Sequence, residues 1–205
     1  MSDRSYVPIP GADLFGRFWL GTATAALFSY LTFGGKVLWP GESGFECLIL
    51  GAVTAAMLTL VGRSKLLEAA VLIPAYGLLR LAFAGGVRVA ISGLLVAAGA
   101  FLVALIFAYL GLYGVRFGKF LIVGPLLGGV CLAVAPLSHY HALSVYDSFG
   151  PLMIQLFVGI VVGDGAGLGV ELADLLPWAR RPQAPPASAV AGSTRAPHGP
   201  GASPG

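Results

Sequence analysis

Residues 89–115 read VAISGLLVAAGAFLVALIFAYLGLYGV, and this stretch decides the fold class. It contains 27 residues without one charged side chain. A helix needs about 20 consecutive apolar residues to cross the hydrocarbon core of a bilayer, which is roughly 30 Å thick. The stretch therefore predicts a membrane-spanning helix. Its excess length predicts a tilt, or an end that emerges into the headgroup region with Tyr109 and Tyr113.

The composition of the whole chain agrees with this assignment. Hydrophobic residues make up 57% of the 205 residues and charged residues only 10%, with a mean hydropathy of +0.87. Soluble domains average about 25% charged residues. A chain with so few charges could not cover a water-exposed surface, which excludes a soluble enzyme. The formal net charge of +3 is small, and in a membrane chain its placement matters more than its sum, so we expect no nucleic-acid partner.

Five further apolar stretches complete a prediction of an all-α membrane bundle with six transmembrane helices. Residues 66–84 are the least uniform of them, because they carry Glu68, Pro74 and Arg80, and a re-entrant or interfacial helix is the alternative there. Residues 1–17 are predicted to be a cytoplasmic segment, and the Pro/Ala/Gly-rich residues 177–205 a disordered cytoplasmic tail. The transmembrane domain then covers residues 18–176, with the spans 18–35, 47–62, 66–84, 89–115, 120–138 and 151–176.

The basic residues predict the orientation of these spans. If the N-terminus is cytoplasmic, nine of the twelve Lys and Arg residues lie inside and only Lys36, Arg80 and Arg88 lie outside. An excess of basic residues in cytoplasmic loops is the pattern that sets membrane topology. The sequence therefore predicts that both termini are cytoplasmic. The inside residues are Arg4, Arg17, Arg63, Lys65, Arg116, Lys119, Arg180, Arg181 and Arg195.

Asp164 is the first candidate for a functional residue, because it lies near the middle of the sixth span. An ionised carboxylate there costs at least a few kcal/mol unless it finds a partner, a proton or water. Gly163 and Gly165 flank it and could let the helix unwind around a substrate or ion. The alternative is structural: the span ends earlier, so that Asp164 lies near the inner interface, and Gly159, Gly163 and Gly167 form a small-residue face that packs against another helix.

Three other charged residues are candidates for the same substrate or ion site. Glu171 lies seven residues beyond Asp164, on nearly the same helical face. Its alternative role is to neutralise Arg180 and Arg181 together with Asp174. Glu68 and Arg80 could line a path around the Pro74 kink, or could snorkel to the two surfaces from the ends of their span.

Other kinds of site have weaker support. His139, His141 and Asp147 could bind a metal ion in an outer loop, but so few ligands recur by chance, and we expect no metal. The Gly163–Asp164 pair resembles part of the Gly-x-Gly-Asp motif of intramembrane aspartyl proteases. However, Val161 replaces the first glycine and no other span contains an aspartate. We therefore expect neither an enzyme nor a cofactor.

The sequence predicts a multi-pass protein of the plasma (inner) membrane, with the lipid bilayer as its surroundings. A permease, channel or membrane component of a transport system for a small solute or ion is the leading hypothesis. The rival is a non-catalytic structural or assembly subunit of a larger membrane complex, with partners or a second copy bound through glycine-rich helix faces. Convergence of Asp164, Glu68 and Arg80 would favour transport, and their separation would favour the subunit.

Overall fold

The computed structural model describes residues 11–35, 45–84, 86–139 and 145–176. Within these ranges the chain forms six α-helices and no strands, which confirms the predicted all-α helix bundle. The predicted tail lies outside the described residues. The helices are α1 (Ala12–Phe33), α2 (Phe45–Val61), α3 (Leu66–Ala84), α4 (Val87–Tyr109), α5 (Gly118–His139) and α6 (Val145–Leu175).

Four of the helices, α3 to α6, are long and apolar enough to cross a membrane, so the protein is integral to a membrane. The apolar stretch of α6 runs from Leu152 to Leu175. α2 is apolar but has 17 residues, and α1 has 22 residues with Asp13 and Arg17 inside its first turns. Both of these helices pack against α6, so they belong to the same bundle.

The bundle is built around α2, α4, α5 and α6, each of which packs against two of the others. Among the described residues, no Cα atom of α2 lies within 8 Å of a Cα atom of α5, and the same is true of α4 and α6. α2 therefore lies diagonally opposite α5, and α4 diagonally opposite α6. α1 packs on α2 and α6, and α3 packs on α2 and α4. Large apolar side chains fill the centre, including Met57, Leu58, Phe107, Leu127 and Val162.

Several helix boundaries differ from the predicted spans, including the start of α6 at Val145, and two of the differences have a physical reason in the structure. α1 begins at Ala12 rather than Phe18, because Gly11 (φ 86°) starts the helix and the charges of Asp13 and Arg17 are paired within the bundle. α4 ends at Tyr109, although the uncharged stretch continues to residue 115. Gly111 adopts a left-handed conformation (φ 66°) there, and the chain turns back through a single 3-10 turn at Leu112–Gly114.

The charged residues divide between the two ends of the bundle. Asp13 of α1 pairs with Arg63, which follows α2, and Lys65 pairs with Glu68 at the start of α3. Arg17, Lys119 and Asp174 meet at this same end. Arg80 pairs with Glu46 at the opposite end. Four of the basic residues predicted to lie inside (Arg17, Arg63, Lys65 and Lys119) are therefore together at one end, and Arg80 is at the other.

Candidate functional site

Three glycines of α6 face α5 where the two helices approach closely. A Cβ atom at Gly159 would lie 2.5 Å from the Cα of Gly128, and one at Gly163 would lie 2.7 Å from the Cα of Gly124. Gly167 meets the carbonyl group of Lys119 in the same way. Small residues let two helix backbones approach this closely in a membrane. The four-residue glycine spacing therefore forms an antiparallel seam between α5 and α6.

The neighbouring glycines of α6 serve a second contact, with α1. A Cβ atom at Gly165 would lie 2.7 Å from the Cα of Ala25. The hydroxyl group of Thr24 lies 2.6 Å from the carbonyl oxygen of Gly165 and reaches across this contact. Despite its glycines, α6 remains helical from Val145 to Leu175. The unwinding expected around Gly163 and Gly165 is thus absent from the described helix, and these glycines pack against α5 and α1.

Asp164 lies at the middle of the apolar stretch Leu152–Leu175, and α6 continues as a helix beyond it to Leu175. Its carboxylate lies against the backbone of Gly124 on α5, at the place where a side chain would otherwise be. The Oδ1 atom is buried beside the backbone of Gly124, with which the carboxylate interacts, but no group of the described residues forms a hydrogen bond of regular geometry with it. A buried polar group without a partner costs free energy, more so if it is charged. The arrangement therefore favours a bound proton or cation on this oxygen.

Glu171 faces α5 as well, closer to the end of the bundle where Lys119 lies. Its side chain is only 8% exposed, and its Oε1 atom accepts a 2.8 Å hydrogen bond from the backbone N–H of Lys119, in the first turn of α5. The positive end of the helix dipole stabilises a carboxylate at this position. The other oxygen, Oε2, is buried without a hydrogen-bond partner among the described residues. Asp164 and Glu171 thus each present one unpartnered oxygen along the same α5–α6 seam.

A compact ionic cluster closes the seam beyond Glu171. Asp174 pairs with Arg17 of α1, and its Oδ2 atom lies 3.5 Å from the Nζ atom of Lys119. Lys119 is 2% exposed, and its ammonium group also donates to the carbonyl oxygen of Tyr113 at 3.1 Å. Burial raises the pKa of Tyr113 far above its usual range, although nearby Arg17 lowers it. The phenol therefore stays neutral, and it donates a hydrogen bond to the carbonyl oxygen of Ala104 at 3.2 Å.

Sequence reasoning did not predict these partners of the α6 carboxylates. It assigned Arg180 and Arg181 to Glu171 and Asp174, and both arginines lie outside the described residues. Among the described residues the partners are Arg17, more than 150 positions away in the chain, and Lys119. One feature of the sequence could have indicated these partners. Arg17 and Lys119 both lie near the start of a predicted span on the predicted cytoplasmic side, where the sixth span ends.

An aromatic pair bridges α1 and α5 beside the seam. The rings of Phe28 and Phe120 contact each other edge to face, with centroids 6.3 Å apart. Ala25, one turn before Phe28, packs on Gly165, and Lys119, just before Phe120, packs on Gly167. These contacts place both rings at about the height of Asp164 along α6. Nothing in the sequence signals this pair, because it depends on which helices become neighbours.

Glu68 and Arg80 do not join Asp164. They lie at opposite ends of α3, twelve residues or about 18 Å apart, and among the described elements α3 packs only on α2 and α4. Glu68 is exposed and pairs with Lys65 at 3.1 Å. Arg80 is largely buried against Gly93 of α4 and pairs with Glu46 of α2. The charges of α3 are thus paired locally, although the Nε atom of Arg80 is buried without a hydrogen-bond partner among the described residues, and the three residues do not converge.

The candidate metal ligands are divided among different elements. His139 is the last residue of α5, Asp147 lies in the first turn of α6, and His141 lies outside the described residues. Within the described part of the chain, no group of three or more His, Cys, Asp or Glu side chains could hold a metal ion.

Comparison of the chain with protein-family models, with curated proteins and with solved structures finds no match. The functional assignment therefore depends on the geometry of the α5–α6 seam.

Proposed function

We propose that this protein transports or conducts a small cation across the plasma (inner) membrane and that Asp164 binds the cation halfway across. The observation that carries the proposal is the buried, unpartnered Oδ1 atom of Asp164 at the centre of the apolar stretch of α6. A carboxylate at this depth is expensive to maintain and, by default, marks an ion or proton site. No enzymatic activity and no organic cofactor are proposed.

The path of the cation follows the α5–α6 seam and not the axis of the bundle. The axis is filled by side chains such as Met57, Phe107 and Leu127, all of them fully buried. The seam, in contrast, carries the carboxylates of Asp164 and Glu171 and ends at the ionic cluster of Lys119 and Asp174. Polar groups along one helix contact supply the oxygen atoms that a cation or proton needs inside a membrane.

We further propose six spans with both termini in the cytoplasm. The grouping of Arg17, Arg63, Lys65 and Lys119 at one end of the bundle supports this orientation, because basic residues mark the cytoplasmic side. Reporters fused after Lys65 and Lys119 are expected to be cytoplasmic, and those fused after Gly44 and Gly86 external. Alkaline phosphatase and green fluorescent protein fusions measure the two sides. Phosphatase activity of the fusion at Lys119 would contradict the proposed orientation. If the fusion at Gly86 is fluorescent and has no phosphatase activity, α3 does not cross the membrane.

The transport proposal is tested with the purified full chain in liposomes. Separate gradients of H⁺, Na⁺ and K⁺ are imposed, with valinomycin setting the membrane potential in the H⁺ and Na⁺ experiments, and ion-sensitive dyes report the flux. Flux of at least one cation above that of protein-free liposomes is expected. Rates equal to protein-free liposomes for all three cations would refute autonomous transport of these ions.

The second candidate is a structural or assembly subunit of a larger membrane complex. The separation of Glu68 and Arg80 from Asp164 favours it, as does the use of every seam glycine for helix packing. In that case the liposomes are inactive, and mild-detergent purification from native membranes recovers a stoichiometric membrane partner. Purification of a single polypeptide that is active in liposomes would exclude this candidate.

A further inference from the structure

The surroundings of Glu171 limit which cation can bind beside it. At this end of the described seam, the ammonium of Lys119 contacts Asp174. Na⁺, Mg²⁺ and Ca²⁺ need several oxygen ligands around the ion, whereas the described residues contain no group of three or more side chains that could hold a metal ion. A proton needs a single oxygen atom. The Oε2 atom of Glu171, buried and without a hydrogen-bond partner, is such an atom.

We propose that Glu171 is a second proton-binding residue, which passes protons between Asp164 and the cytoplasm, so that the transported cation is H⁺. This inference rests on the proposed transport function and names its substrate. It also assigns different roles to the two oxygens of Glu171. Oε1 holds the start of α5 through the backbone N–H of Lys119, and Oε2 is left to take up the proton.

The spacing of the two carboxylates suits transfer through water. On α5 their contacts are Gly124 and Lys119, five residues or about 7.5 Å apart along the helix. Side chains on a helix lean toward its N-terminus, so Glu171 leans toward Asp164. One or two water molecules would complete the relay. The O–H bond of protonated Asp164 breaks, a proton moves along the water, and an O–H bond forms on Oε2 of Glu171, leaving Asp164 as the carboxylate.

The proton leaves Glu171 toward the cytoplasmic end of the bundle, where the neighbouring charges are paired with one another. The Oε1 atom accepts a hydrogen bond from the backbone N–H of Lys119, whose ammonium group contacts Asp174. Asp174 is also paired with Arg17. Tyr113 is neutral, and at the same end Asp13 pairs with Arg63. The proton then leaves Oε2 for cytoplasmic water or a buffer base, which regenerates the carboxylate.

The test uses Glu171→Gln, because glutamine keeps a carbonyl oxygen for the Lys119 N–H and removes the titrating group. The full chain is reconstituted in liposomes that contain a pH-sensitive dye, and a K⁺ gradient with valinomycin drives proton uptake. We expect Glu171→Gln to lower the initial rate by about 10²-fold, as expected when a positioned proton-transfer group is lost. The matched control is Glu68→Gln, an exposed acid at the same end of the bundle, which should keep the wild-type rate.

Glu171→Asp separates a proton relay from a structural role, because aspartate still titrates although it fits less well. Partial recovery of proton flux relative to glutamine is expected, and flux no higher than with glutamine would overturn the relay. Wild-type proton flux in Glu171→Gln, with Asp164→Asn inactive, would overturn the role of Glu171 but leave transport at Asp164 standing. Flux of Na⁺ or K⁺ as fast as that of H⁺ would overturn the proton assignment. Liposomes inactive for all cations would instead refute the proposed function.

Discussion

Replacing Gly163 with leucine is expected to separate α5 from α6 and to lower the stability of the protein more than any other substitution proposed for this chain. A Cβ atom there would lie within 3.0 Å of three backbone atoms: the Cα and N of Gly124 and the carbonyl oxygen of Val123. Backbone atoms cannot rotate away as a side chain can, so the two helices must separate. Overpacking typically costs about 1–3 kcal/mol, and we expect at least about 3 kcal/mol here, or a fall in melting temperature on the order of 10 °C. Thermal melting in detergent measures it.

Gly129 offers a matched control on the facing helix. Apart from the neighbouring backbone of α5 itself, no atom of the described residues lies within 4 Å of a Cβ at this position, and Gly129 is exposed. Gly129→Leu is therefore expected to leave the melting temperature unchanged or to raise it, because leucine is the better helix former. Equal melting temperatures for Gly163→Leu and Gly129→Leu would contradict the close α5–α6 contact, and with it the placement of Asp164.

The fold was predictable from the sequence wherever charge and glycine patterns mark the ends of apolar runs. Residues 66–84 were predicted as one span, and α3 has these bounds despite its internal proline. The end of α4 was not predictable in the same way, because no charge marks the turn after Tyr109. The turn depends on the left-handed conformation of Gly111 and on Tyr113, whose hydroxyl donates a hydrogen bond to the carbonyl oxygen of Ala104. Contacts of this kind exist only after the helices have packed.

The candidate site was predictable only in part. Helical periodicity placed Asp164 and Glu171 on one face, and both do face α5. The same reasoning could not assign their partners, since Arg17 and Lys119 belong to other helices. It also grouped Glu68 and Arg80 with Asp164 on the basis of charge alone. In the bundle each finds a nearby opposite charge first, Lys65 and Glu46, because local pairing removes the desolvation penalty without a central cavity.

Asp164→Asn is expected to abolish cation flux while leaving the protein inserted and folded. Asparagine keeps the volume of the side chain against Gly124 but can neither titrate nor carry a negative charge. Loss of a positioned proton-transfer group typically lowers a rate by about 10²-fold or more, so flux should fall to that of protein-free liposomes. The melting temperature should stay the same or rise, because the unpartnered Oδ1 no longer belongs to an ionisable group in a buried position. Flux and melting are measured on the same preparation.

Flux and melting temperature together separate a functional carboxylate from a structural one. A residue needed only for packing loses stability when it is replaced and loses activity only as a consequence, as expected for Gly163→Leu. Asp164→Asn should lose activity at full or increased stability. Glu68→Gln, which neutralises an exposed acid already paired with Lys65, should change neither quantity. Wild-type flux in Asp164→Asn would exclude Asp164 as the ion site. A lower melting temperature with flux reduced only in proportion would assign the carboxylate to helix packing and favour the subunit.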